Sequence, residues 1–301
     1  RQLLADKVSG TMMGVWLLIP ELMRLGAWDL LCGWTGKQGA QVQPRLSLQM
    51  VGEHALCLQG VRQRRCLSQK GFEVANGLPF VASDQAIHEF LEATTVASTQ
   101  QLQVALGRIR APLGPFPGRL LAIDPHHLHS HSKRQMVRLR PKPHKPATKV
   151  SRTFFCLDAD SHQPLCCTLS SSSLTVSDAT PVLLGLAASI LGPTPRKPLV
   201  LADTEHHTVE LVDEVLDRGH FDLMVPMPGQ SYYKKQLRQL PPQAFTHRWA
   251  GIATARASFR FQHGRRRPLW QIVQRTGERQ DDFRYKGFLC TADRDEVDLL
   301  S

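Results

Sequence analysis

The stretch Gly118–Ser130 reads GRLLAIDPHHLHS. Four apolar residues, Leu120, Leu121, Ala122 and Ile123, run without a break into Asp124, and Pro125 follows at once. A short unbroken apolar run predicts a strand buried on both faces. Proline has no N–H to give a central ladder, so regular pairing is expected to stop at Pro125. Asp124 then stands at the end of a buried strand, where a carboxylate is either costly or functional. The arrangement recurs in PLVLAD (198–203), followed by Thr204, Glu205, His206 and His207. Two buried strands, each delivering one aspartate at its end, build a divalent-metal site from positions far apart in the chain.

Between the two aspartates lies a basic segment broken by Pro141, Pro143 and Pro146, carrying Lys133, Arg134, Arg138, Arg140, Lys142, Lys145, Lys149 and Arg152. It cannot be a regular helix throughout and is expected to cross the surface. Residues 153–157 and 164–169 flank a turn containing Asp158 and Asp160, a β-hairpin signal. These two aspartates read as turn residues. A helix is expected over 178–191, capped at Ser177 and stopped by Gly192 and Pro193. After the Asp203 strand come a helix at 209–218, closed by Gly219, and a strand at 221–225. Strand, hairpin, helix, strand, helix, strand is the order of a ribonuclease H-like fold: an α/β mixed sheet with flanking helices. Residues 231–284, rich in Arg, Gln and aromatics, read as a β-rich insertion with short strands at 252–258 and 269–274. A core strand returns at 288–291, and a helix begins at 293–300.

Before this core, residues 1–112 read as a helical N-terminal domain. Its helices are expected at 15–31 (interrupted near Pro20), 46–58, 67–78, 84–93 (capped by Ser83) and 99–110. A basic cluster, Arg62, Arg64, Arg65 and Lys70, gives this region either a DNA-binding face or a solvated one. The Pro/Gly-dense run 111–118 marks the boundary. The core divides into 113–230, the insertion 231–284 and a return to the core over 285–301.

The 301 residues suffice for a sizeable core. Lys and Arg number 37 against 26 Asp and Glu, a formal net charge of +11, which points to a polyanionic partner, nucleic acid first. The seven cysteines are scattered and form no CxxC pair, so they read as reduced thiols of a cytoplasmic protein, with no disulfide framework or zinc site. The most apolar early run, Val15–Ile19, is cut by Pro20 and is too short to span a bilayer. The chain opens on Arg1 and closes at Ser301 inside an incipient helix, so a fragment of a longer protein is the expectation.

The segments LLAIDPHHLHSHSKRQM (120–136), TFFCLDADSHQP (153–164), LVLADTEHH (199–207), FDLMVPMP (221–228), RWAG (248–251) and FLCTADRDEVDLLS (288–301) together resemble a DDE transposase of bacterial insertion sequences. The branch in question has a ribonuclease H-like core interrupted by a β-strand insertion before the last catalytic helix. The resemblance implies that Asp124 is the first catalytic carboxylate and Asp203 the second. The third would be a Glu in a Tyr–Arg–Glu type motif on the helix after the insertion. That motif is absent; Glu296 and Asp298 lie on the incipient helix outside any such motif, so the third carboxylate is expected beyond Ser301.

The resemblance further implies a site for two Mg²⁺ or Mn²⁺ ions roughly 3.5–4 Å apart, serving in-line displacement at phosphorus. Hard carboxylate oxygens suit such ions and thiolates do not. Double-stranded DNA, as element ends and target, is the implied partner of a homo-oligomer, with no membrane role and a bacterial, nucleoid-associated location. Lys133, Arg134, Arg138, Arg140 and Lys142, with Arg265, Arg266 and Arg267 beside Trp270, would grip phosphates. The plain alternative for the arginine triplet is a solvated turn. His126, His127, His129 and His131 have zinc-ligand chemistry, yet without Cys or paired spacing they read as exposed or phosphate-contacting. Glu205, His206 and His207 read either as partners of Asp203 or as the cap of the next helix. A catalytically dead DNA-binding remnant and a stand-alone nuclease of the same fold remain the alternative functions.

Overall fold

The structure, a computed structural model, describes residues 18–35, 44, 46–47, 84–130, 133, 135–136, 138–140, 144, 146–171, 174–261, 263 and 269–294. The chain forms two compact units, Arg1–Leu113 and Gly114–Ser301.

The first unit is helical where described, with α1 (Leu18–Arg24), α2 (Ala27–Thr35), α3 (Asp84–Ala93) and α4 (Val96–Arg110). From Leu18 the described helix runs through Pro20 to Arg24, and a break follows at Gly26, whose φ is +73°. Thr95 caps α4, its hydroxyl accepting from the Ser98 N–H at 3.1 Å. The Trp34 indole N–H donates to the Ser98 carbonyl at 2.8 Å, and its ring meets Phe90 edge-on, which ties α2 to α3 and α4. The expected helix over 46–58 is described only at Leu46 and Ser47, both helical and buried. The helix expected over 67–78, the Ser83 cap and the basic cluster from Arg62 to Lys70 lie outside the described residues.

The second unit is built on a ten-stranded mixed sheet. Its first half contains β1 (Leu120–His129), β2 (Arg138–Leu139), β3 (Thr148–Asp158), β4 (Gln163–Ser171), β5 (Leu199–Leu201) and β6 (Asp222–Pro226). The hairpin partner β3 runs antiparallel to β1, with β4 on its far edge and β2 pairing its start. On the other side β5 runs parallel to β1, and β6 parallel to β5. This is the ribonuclease H-like arrangement: a hairpin on one edge of the first strand and helix-connected parallel strands on the other.

Strand β1 does not stop at Pro125; it pairs with β3 as far as His129. The reason lies in the direction of its N–H groups. Leu120 and Ser130 bond β3, through Ala159 N–H to the Leu120 carbonyl and Ser130 N–H to the Lys149 carbonyl. Even-numbered residues therefore face β3, and odd ones face β5, as the bond from the Leu199 N–H to the Arg119 carbonyl confirms. Pro125 turns its missing donor toward the β5 edge, and β5 pairs no further than Ala122. At that position the strand is an edge, where proline is tolerated.

Helices α5 (Val176–Leu191) and α6 (Val209–Arg218) connect the parallel strands. Thr175, not Ser177, caps α5, and Thr208 caps α6, each hydroxyl accepting a first-turn N–H. Val176, Ala179, Thr180, Leu183, Leu184, Ala187 and Ile190 form the buried stripe of α5 at helical spacing. Opposite lie Leu121, Ile123, Phe154, Cys156 and Cys166, all buried; the Cys166 thiol reaches the Leu183 carbonyl at 3.5 Å. Each fully buried aliphatic or aromatic side chain here contributes roughly 1.5–3 kcal/mol. The run 120–123 is thus fully buried on one face only, since Leu120 and Ala122 are half-buried.

The β-rich insertion does not form a separate sheet. After α7 (Ser231–Arg238), a helix absent from the sequence reading, come β7 (Thr246–Trp249), β8 (Ile252–Phe259) and β9 (Leu269–Thr276). The returning strand β10 (Arg284–Cys290) pairs antiparallel with both β6 and β9, so the order continues β6-β10-β9-β8-β7. Gly287 of β10 makes room for α7: a Cβ there would meet Met227 Sδ at 2.9 Å and Leu237 Cδ2 at 3.0 Å.

Candidate active site

Register relates the two aspartates, each of which follows the last paired position of its strand in the β1–β5 ladder, Ala122 of β1 or Leu201 of β5, by two residues. In a parallel pair, register partners point to the same face, and side chains alternate with period two. Asp124 therefore projects from the face that carries Ala122, opposite to α5. Asp203 stands two residues beyond the end of β5, at the start of the following turn. Below them on this face lies an apolar layer in which Leu199, Met224, Ile272, Cys290 and Ala292 are buried, with Leu120 and Leu201 packed against it. This layer seats the aspartates at the rim of the core.

Asp124 is exposed, and its carboxylate has no hydrogen-bond partner among the described residues. Its partner across the sheet, Phe155 of β3, is 41% exposed. Asp203 differs in being held. It caps the single helical turn Thr204–His206, and its Oδ1 accepts the Glu205 N–H at 3.1 Å. The same oxygen accepts from His206 Nδ1 at 2.6 Å. An ionised carboxylate only accepts, so this bond requires the tautomer with hydrogen on Nδ1. The His206 ring is buried, whereas the Asp203 side chain is 43% exposed. Oδ2 of Asp203 has no partner among the described residues.

His207 points elsewhere, into rings of the insertion. Its centroid lies 5.5 Å from Tyr233 of α7 and 5.3 Å from Phe261, both edge-on. Its Nε2 is buried without a partner among the described residues, and burial lowers its pKa below the ordinary 6.5. A cleft of about 370 Å³ opens beside it, lined by Tyr232, Tyr233, Phe259, Arg260, Phe261 and His263. Another, of about 570 Å³, is lined by Arg152, Ser177, Asp178, Glu205, Thr208 and Glu210.

The basic residues are only partly described. Lys133, Arg138 and Arg140 are exposed, Arg138 within β2. Arg134, Lys142, Arg265, Arg266, Arg267, Glu296 and Asp298 lie outside the described residues. Trp270 is half-buried in β9, and the Arg256 guanidinium covers its ring at 3.6 Å while pairing with Asp293. Strand alternation splits the histidine run. His126 shares the Asp124 face, whereas His127 and His129 point to the other. His127 Nε2 accepts from Arg152 Nε at 3.1 Å, and His129 Nδ1 lies 3.4 Å from the Thr148 hydroxyl. His131 is outside the described residues.

The donor set suits a hard divalent cation. Asp124 and Oδ2 of Asp203 are carboxylate oxygens without competing partners among the described residues. Mg²⁺ is commonly held by one or two carboxylates together with water and substrate phosphates. Among the described residues no group of three or more His, Cys, Asp or Glu side chains is placed to hold an ion.

No protein-family model and no curated protein matches this chain. Among solved structures it is similar to the piggyBac transposase synaptic complex with hairpin DNA, at 12% identity and a TM-score of 0.42. That likeness covers 75% of this chain and 44% of the piggyBac chain. It is also similar to the Mos1 mariner paired-end complex with Mn, at 14% identity and a TM-score of 0.25, over 62% of this chain and 60% of that one. The chain thus spans less than two thirds of each of these transposases. Both TM-scores fall below 0.5; it is the strand order and register of this chain that make its sheet ribonuclease H-like.

Proposed function

We propose that this chain is the catalytic core of a DDE-type transposase of a bacterial insertion sequence, cutting and joining DNA strands at the element's ends. The observation that supports the reading is the shared register of Asp124 and Asp203, two residues past paired positions on adjacent parallel strands. Divalent ions bound there would activate the attacking oxygen and stabilise the leaving one in a displacement at phosphorus. Asp124, exposed at the rim of the sheet, would contribute a carboxylate able to reach two ions. Asp203, fixed by its turn, would hold one of them. The third carboxylate implied by the resemblance is a glutamate on a helix after the insertion. The exposed Lys133, Arg138 and Arg140, together with Arg134, Lys142 and Arg265–Arg267, would bind backbone phosphates in a salt-dependent, largely sequence-independent way. Two copies on paired ends is the assembly this reading calls for.

The test is cleavage of a labelled duplex carrying the element's end, taken from the DNA flanking the gene. The product of the complete gene should nick it with Mg²⁺ or Mn²⁺, and Asp203→Asn should lower the rate by 10³-fold or more. Cleavage that survives the substitution would overturn the site. Salt-dependent binding without cleavage under any divalent ion would favour a catalytically dead remnant.

A further inference from the structure

We infer that His206 is a positioning residue for Asp203. Its Nδ1–H holds Oδ1 and leaves Oδ2 as the oxygen available to a cation. The inference rests on the reading of Asp203 as a metal ligand.

Asp203 needs such a support more than Asp124 does. Asp124 lies within β1, its backbone fixed by the ladder to β3. Asp203 lies beyond the last paired residue of β5, on a turn of three residues. Left alone, its carboxylate would rotate about two side-chain bonds. Two donors on one oxygen remove that freedom. The Glu205 N–H comes from the backbone of the turn, and His206 Nδ1 comes from a ring locked by burial. Burying an imidazole without a partner is unfavourable, so the bond also secures the histidine. The ring is only 1% exposed, which argues against a role as a ligand or proton carrier in its own right. Supporting bonds to metal-binding side chains typically govern affinity by 10–100-fold.

The geometry distinguishes two amide replacements. The side-chain nitrogen of Asn sits as many bonds from Cα as Nδ1 does; that of Gln matches Nε2. His206→Asn should therefore keep the bond, and His206→Gln should lose it. The measurement is Mn²⁺ binding by isothermal titration, on proteins whose thermal unfolding is recorded alongside. The expected result is affinity within about 3-fold of wild type for His206→Asn and a loss of 10-fold or more for His206→Gln, at similar melting temperatures. Equal affinities for the two variants would overturn the proposal. If wild type and Asp203→Asn bind Mn²⁺ alike, the ligand reading itself fails and the proposal falls with it. If neither variant folds, histidine-selective ¹⁵N spectra of the wild type decide. Hydrogen on Nδ1 of His206 supports the proposal, and hydrogen on Nε2 alone overturns it.

Discussion

Asp158 and Asp203 both end strands, and what their oxygens touch separates them. Asp158 is fully buried, with Oδ2 accepting the Gly118 N–H at 2.7 Å and Oδ1 accepting both the N–H and the hydroxyl of Ser161 at 3.0 Å. Its charge is spent inward, pinning the start of β1 to the β3–β4 turn. Asp203 keeps one oxygen open. Asp158→Ala should therefore cost about 3 kcal/mol by urea denaturation, because it leaves buried donors unpaired. Loss of less than about 1 kcal/mol would contradict this account of the residue. The sequence marks Asp124 and Asp203 through their apolar runs, which are local and repeated. It reads Asp158 only as a turn residue, since its partners are 40 residues back at Gly118 and three ahead at Ser161. The bond from His206 to Asp203 has the three-residue spacing of a cap, but the burial of that ring comes from packing that no local pattern carries.

At the scale of elements, the turn after β5 serves two neighbours. His206 faces the core strand's aspartate, and His207 lodges among Tyr233, Phe259 and Phe261 of the insertion. Burial holds the His207 pKa below 6.5 in the folded protein. Between that lowered value and 6.5 the unfolded chain binds more protons than the native one. The stabilisation from a neutral His207 is therefore complete above pH 6.5 and is lost as pH falls through the folded value. His207→Phe, which keeps an aromatic ring there, should flatten the melting temperature between pH 5 and 7. An unchanged pH slope would show that His207 is not the group responsible. Helices α3 and α6 lie where the sequence places them; for α6 the apolar spacing and the stop at Gly219 agree within one segment. The end of β1 is not legible in the sequence, because the consequence of Pro125 depends on which neighbour its nitrogen faces. Helix α7 leaves little trace in the sequence, because Ser231–Arg238 is mostly polar and owes its place to Leu237 packing over Gly287.

For the second unit as a whole, core and insertion share one sheet. Strand β10 lies between β6 and β9, so the apolar layer beneath the aspartates includes Ile272 of the insertion as well as Leu199 and Met224 of the core. The sequence located the inserted strands at 252–258 and 269–274 but not their attachment, because pairing across 60 or more residues leaves no periodic trace. The formal charge of +11 agrees with a polyanionic partner and is silent on chemistry. Asp124 and Asp203, 79 positions apart in the chain, are expected to act as one site. Electron paramagnetic resonance of bound Mn²⁺ tests it most directly, in wild type, in each Asp→Asn variant and in the double variant. Either single substitution is expected to abolish the signal of the ion that the two aspartates share, and the double to remove nothing more than Asp124→Asn does. A signal that survives both single substitutions would contradict it.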